Sequence, residues 1–115
     1  MARISLIVVD ARRPLRLARF WSRALDGYAL RGADPGAEAD PDGVALDGPG
    51  PSLLFQRGES PVRPGRLHLD IVGGIRVAEV TRLQALGATV RDVHEHHTVM
   101  LDPEGNRFCV QDPHG

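Results

Sequence analysis

A pattern repeats along this 115-residue chain with a period of about half its length. Arg16-Leu17-Ala18 returns 60 positions later as Arg76-Val77-Ala78, and Gly27 returns at the same offset as Gly87. Around these markers the same order of elements is read twice: a strand, a helix and three strands. A module of this kind cannot hide both faces of its sheet alone. Two of them predict an α+β fold in which two βαβββ modules form a curved mixed β-sheet with the helices outside and a U-shaped groove inside.

In the first module, the β-branched and leucine run over residues 4–9 predicts a strand buried on both faces. Pro14 suits the first turn of a helix. Leu17, Phe20, Trp21, Ala24 and Leu25 then share one apolar face, opposite Arg16, Arg19 and Arg23, and Gly27 is the expected C-cap. Tyr28-Ala29-Leu30 begins a second strand. Residues 33–43 lack apolar periodicity and read as an exposed loop. Val44–Leu46 and Ser52–Gln56 complete the module. Two prolines and two glycines in residues 57–65 mark a linker. One domain over 1–115 therefore divides into modules at about 1–57 and 66–112, with 58–65 between them.

The second module runs through a strand over 67–72 and a helix over 75–86. That helix is expected to turn Val77, Val80, Leu83 and Leu86 inward and to end at Gly87. Strands follow at Ala88–Val90, His97–Leu101 and Arg107–Gln111. Alternation along 67–72 places Leu67, Leu69 and Ile71 on one side and Arg66, His68, Asp70 and Val72 on the other. The polar side faces either open solvent, where His68 and Asp70 satisfy each other, or a wet cavity that binds a polar ligand. Asp102-Pro103-Glu104-Gly105-Asn106 reads as a β-turn that sets the register of the last two strands. It aims Arg107, Cys109 and Gln111 to one face and Phe108 and Val110 to the other. Cys109 is then either a small buried hydrophobe or part of the groove lining. In His94-Glu95-His96-His97, an extended chain would put His94 and His96 opposite His97, and His97 could stand beside His68.

Charge narrows the function classes. The formal net charge is −1, from 14 basic and 15 acidic residues, and no basic stripe is present. Neither nucleic acid nor a membrane is an expected partner. A single cysteine excludes an intrachain disulfide. The short apolar run at the N-terminus has no signal-peptide cleavage pattern, so a cytoplasmic location is expected. The absence of lysine, with abundant Arg, Ala, Gly and Pro, suggests a bacterial, GC-rich origin.

The doubled plan, Phe20-Trp21, Leu67-His68-Leu69-Asp70, Ala85-Leu86-Gly87-Ala88 and the run from Asp102 to Val110 resemble the vicinal-oxygen-chelate superfamily. That group holds glyoxalases, bleomycin-resistance proteins and extradiol dioxygenases; the chain looks most like its small actinobacterial glyoxalase-like domains. The resemblance implies a homodimer. In the superfamily's metalloenzymes, His and Glu side chains from four strands hold the metal. Here those positions fall near Arg3 or Ser5, within Leu53–Phe55, at His68 and at Cys109. A catalytic zinc site needs three protein ligands and an open position, so no cofactor is expected; a divalent metal, if present, would use His68 with Cys109. The expected function is binding of a polar or aromatic metabolite or antibiotic, by His68, Asp70, Arg66, His97, Cys109, Arg107 and Gln111. The alternative is a lyase, isomerase or dioxygenase, with His68, Asp70 and His97 as the catalytic candidates.

Overall fold

The computed structural model describes residues 4–58 and 68–113. It divides into two compact units, Met1–Val62 and Arg63–Gly115. The linker expected at 58–65, and Arg66 with it, fall almost wholly outside the described residues; only Gly58 lies within them.

The first unit is built from β1 (Leu6–Ala11), α1 (Pro14–Ala24), β2 (Ala29–Leu30), β3 (Gly43–Asp47) and β4 (Ser52–Arg57). Its sheet has the order β1-β4-β3-β2, with β1 parallel to β4 and the other pairs antiparallel. Pro14 opens α1, whose apolar stripe packs on one face of the sheet. Leu17 and Ala18 are fully covered, with Phe20, Trp21 and Ala24 buried beside them; Ala11, Leu46, Leu53 and Phe55 supply the sheet side. Phe20 and Trp21 meet edge to face, ring centroids 5.1 Å apart, an arrangement the aromatic quadrupoles favour.

Two expectations are corrected here. The first strand is not buried on both faces: Leu6 and Val8 remain 40% and 50% exposed. It is an outer strand of its sheet, and α1 covers only the opposite side, so burial alternates along it. The cap of α1 is Leu25 in extended conformation, its N–H donating to Trp21 O, and Gly27 takes its positive φ two residues later.

At the far end of this sheet Arg31 forms a two-pronged ion pair with Asp47 (2.8 and 2.9 Å), and the Ser52 hydroxyl donates to the same carboxylate (2.6 Å). Arg31 first, then Ser52, hold the Asp47 carboxyl well below the usual carboxylate range. A depressed folded-state pKa contributes stability above the unfolded value, near 3.9, that is lost as pH falls toward the folded one. In acid titrations, Asp47→Asn is therefore expected to be less stable than the parent at neutral pH. The gap should begin to narrow as pH falls below about 3.9 and close only near the much lower folded-state value; a gap that is constant with pH would refute the assignment.

The second unit repeats the plan with β5 (Leu69–Val72), α2 (Arg76–Leu86), β6 (Thr89–Val93), β7 (His97–Leu101) and β8 (Arg107–Gln111). The sheet order is β5-β8-β7-β6, with β5 parallel to β8. Phe108, Val110, Met100 and Leu83 are fully buried. Gly87 ends α2 in the left-handed region (φ +117°), a conformation that disfavours any side chain.

The inward face expected of α2 is also corrected. Leu83 is its one buried residue among the described side chains; Val80 and Leu86 are half-buried, and Val77 is 74% exposed. Residues three apart on a helix drift by about 60° per step. Four such residues span half the circumference and cannot share one face. β6 is longer than expected and carries an irregularity between Val90 and Asp92.

No helix among the described residues is long and apolar enough to cross a membrane.

Candidate functional site

In the second unit, α2 packs on the side of the sheet that carries Phe108 and Val110. The other side is ordered by the strand register into three rows. Leu101 pairs with Arg107, and His68 precedes β5 at about that level. Val99, Cys109 and Asp70 form the next row, and His97, Gln111 and Val72 the last. Paired residues in a sheet point the same way, so one face carries His68, Asp70, Arg107, Cys109, Gln111 and His97.

His68, Asp70 and Cys109 come together most closely. Their potential ligand atoms all lie within 4.8 Å of one another. His68 Nε2 stands 3.2 Å from Asp70 Oδ1. Both side chains are substantially exposed, whereas Cys109 is only 4% exposed. Burial first, then the neighbouring Asp70 charge, push the Cys109 thiol up; Arg107, hydrogen-bonded to it, opposes them without reversing the shift. The thiol is therefore protonated near neutral pH and is a poor nucleophile.

His97 shares this face but is not brought to His68. It pairs with Gln111, two rows away and across an intervening strand, roughly 15 Å in backbone terms. Its ring stacks instead on His94, with centroids 4.5 Å apart. The stretch from His94 to His97 is a turn, closed by His94 N–H donating to His97 O (2.8 Å), so the alternation an extended chain would give does not apply here. Gln111 is half-buried and Arg107 exposed.

Two arrangements go beyond the expectations drawn from the sequence. Arg76, at the start of α2, donates to the carbonyls of His94 and Glu95 (2.8 and 2.7 Å) and pairs with Asp112 (2.9 Å). It thereby ties the helix to the 94–97 turn. The other is the loop between β7 and β8. Asp102 is 4% exposed and its carboxylate accepts from Glu104 N–H, Asn106 N–H and Asn106 Nδ2 (2.9–3.1 Å). Gly105, at φ +84°, supplies the left-handed residue that the turn requires. The local signal for this anchor is an aspartate opening a turn, a residue type whose side chain bonds the backbone two residues on.

The first unit has a cleft of its own, about 280 Å³, lined by Arg13, Arg16, Arg19, Glu38 and Asp40 among others. Arg19 is paired with Asp34 and Asp40 with Arg57. Two of its charges are thus paired within the protein, and it makes a weaker candidate than the second unit's polar face.

The four-strand metal set of the resembled metalloenzymes does not fit this chain. Ser5 and Leu53–Phe55 offer neither imidazole nor carboxylate, Cys109 stands at the last position, and only His68 matches.

A family model described as a glyoxalase-like domain matches residues 6–111. No curated protein sequence matches the chain. Solved structures similar to it include a glyoxalase/bleomycin resistance protein/dioxygenase family enzyme from Burkholderia phytofirmans (TM-score 0.73, 18% identity, covering 96% of this chain and 98% of that one). A glyoxalase-related enzyme from Fulvimarina pelagi is similar over 97% of this chain and 88% of that one (TM-score 0.69, 17% identity). An antibiotic binding protein from a Streptomyces species is similar over 98% and 97% (TM-score 0.64, 20% identity). At these identities the likeness shows the fold.

Proposed function

Since the chain belongs to the glyoxalase-like domain family of the vicinal-oxygen-chelate superfamily, we propose that it binds a small polar or aromatic metabolite or antibiotic on the polar face of its second module. The observation that carries this reading is the convergence of His68, Asp70, Arg107 and Cys109 on the side of the sheet away from α2. A cation, a carboxylate, an imidazole and a thiol offer a ligand donors and acceptors of both signs. Leu101, half-buried beside Arg107, adds apolar surface for a ring. The antibiotic-binding relative supports the ligand class. Binding needs none of the absent metal ligands.

An enzymatic reading, as a lyase, isomerase or dioxygenase, is favoured by one observation. Asp70 lies where it would orient the His68 imidazole, as a carboxylate does for a general base. The proposal includes a cytoplasmic, bacterial homodimer; the apolar side chains of Leu6 and Val8, exposed on β1, support a second copy as partner. Light scattering at several concentrations tests that point.

A thermal-shift screen of metabolites and antibiotics, on chelator-treated protein, tests the binding reading. A ligand present at 100 times its Kd stabilises the fold by about 2.7 kcal/mol. Arg107→Ala and His68→Ala are expected to abolish the shift while leaving the unliganded midpoint nearly unchanged, since both side chains are exposed. A ligand whose shift is identical in both variants would place binding elsewhere and defeat the reading.

A further inference from the structure

The family's metal set fails in this chain, yet three potential ligands of different chemistry converge within one module. We infer that His68, Asp70 and Cys109 form a cation site of another make-up, selective for a thiophilic divalent ion of the zinc type over hard ions such as Mg²⁺. It keeps two positions of the four-strand set, His68 and Cys109, and adds Asp70 from β5 in place of the two ligands that the first module does not supply.

Geometry supports it first. Ligand atoms at about 2.0–2.3 Å from a tetrahedral ion stand roughly 3.3–3.8 Å apart. His68 Nε2 and Asp70 Oδ1 already lie 3.2 Å apart, and all three ligand atoms fall within 4.8 Å. Closing the set asks for an ångström or so from His68 and Asp70, whose exposed side chains have room to turn. Cys109 need not move, because the β5–β8 register puts it directly beside Asp70.

Ligand chemistry then chooses the ion. Imidazole, carboxylate and thiolate together suit zinc, whereas Mg²⁺ and Ca²⁺ take oxygen ligands. On coordination the Cys109 proton passes to solvent, and the ion's charge stabilises the thiolate that burial and Asp70 otherwise disfavour. Three protein ligands leave a fourth position on the exposed side of the face, for water or a donor atom of a bound molecule. That last role rests on the proposed binding function; the ion site does not.

Cobalt titration of the chelator-treated full-length protein tests the inference. One Co²⁺ per chain is expected, with a thiolate-to-cobalt band in the near ultraviolet and intense visible bands of four-coordination. Zn²⁺ should displace the ion and Mg²⁺ should not. Cys109→Ser should remove the near-ultraviolet band. His68→Gln and Asp70→Asn alter exposed side chains and keep the fold, so they serve if Cys109→Ser does not fold. Each should weaken binding by about tenfold or more, the least that even outer-shell partners contribute. The absence of a thiolate band overturns the site. So does cobalt binding untouched by His68→Gln and Asp70→Asn, or lost instead with His94→Gln or His96→Gln. Small-molecule binding is read separately on the metal-free protein. Ligand binding without a thiolate band rejects the ion site alone; a thiolate band with no ligand found rejects the binding function alone.

Discussion

Asp102→Ala is expected to lower the unfolding free energy by about 2–4 kcal/mol, among the largest effects of any polar substitution in this chain. The Asp102 carboxylate is buried and accepts from three donors, two of them backbone N–H groups in the turn. Removing it leaves those donors without their partner in a tight loop, each at about 1–3 kcal/mol when water cannot replace it. Partial solvation of the turn brings the sum below the simple total. For a domain of this size, each kcal/mol lowers Tm by roughly 4 °C. Asp102→Asn keeps one acceptor oxygen and should recover about half the loss. A shift under about 0.5 kcal/mol for Asp102→Ala, the scale of an ordinary surface change, would show that the turn is held by its backbone bonds alone. The consequence reaches the candidate site, because this turn joins β7 to β8 and sets the register that places Val99 opposite Cys109 on the site's face.

That dependence shows which parts of the site were legible in the sequence. Alternation correctly put His68 with Asp70, and Cys109 with Arg107, because side-chain direction in a strand is a local property. The approach of the two pairs is not local. It follows from β5 running parallel to β8 with Asp70 opposite Cys109, strands joined through a helix and two others. His97 shows the limit from the other side: its face followed from alternation, but its distance from His68 depended on pairing with Gln111. The 94–97 turn has no Gly or Pro to mark it, and what ties it down is Arg76, eighteen residues before His94. In the same way β1 has the composition of a strand buried on both sides, but α1 covers only one of its faces, so burial alternates along it. α1 was legible because its apolar residues recur at mixed three- and four-residue steps, the spacing that stays on one face.

The helix read less well, α2, carries the second large expectation. Leu83→Ala should destabilise the protein by about 2–5 kcal/mol, while Val77→Ala, earlier on the same helix, should stay within about 0.5 kcal/mol. Leu83 is fully covered. Truncating it opens a cavity under a helix with few other means of collapsing onto the sheet. Val77 is 74% exposed, and removing its methyl groups forfeits almost no burial; alanine's better helix propensity offsets part of what is lost. Urea unfolding of both variants provides the comparison, with the midpoint carrying the difference if the slope is unchanged. Equal losses would mean that Val77 is covered in solution, by a second copy or another partner. A small loss at Leu83 would mean that α2 is held chiefly by Arg76 and its grip on the 94–97 turn. The contrast matters for function because α2 packs on the same sheet whose other side holds His68, Asp70 and Cys109. Weakening the helix therefore loosens the support of the candidate site without touching any residue in it, and ligand or cobalt affinity should fall in Leu83→Ala but not in Val77→Ala.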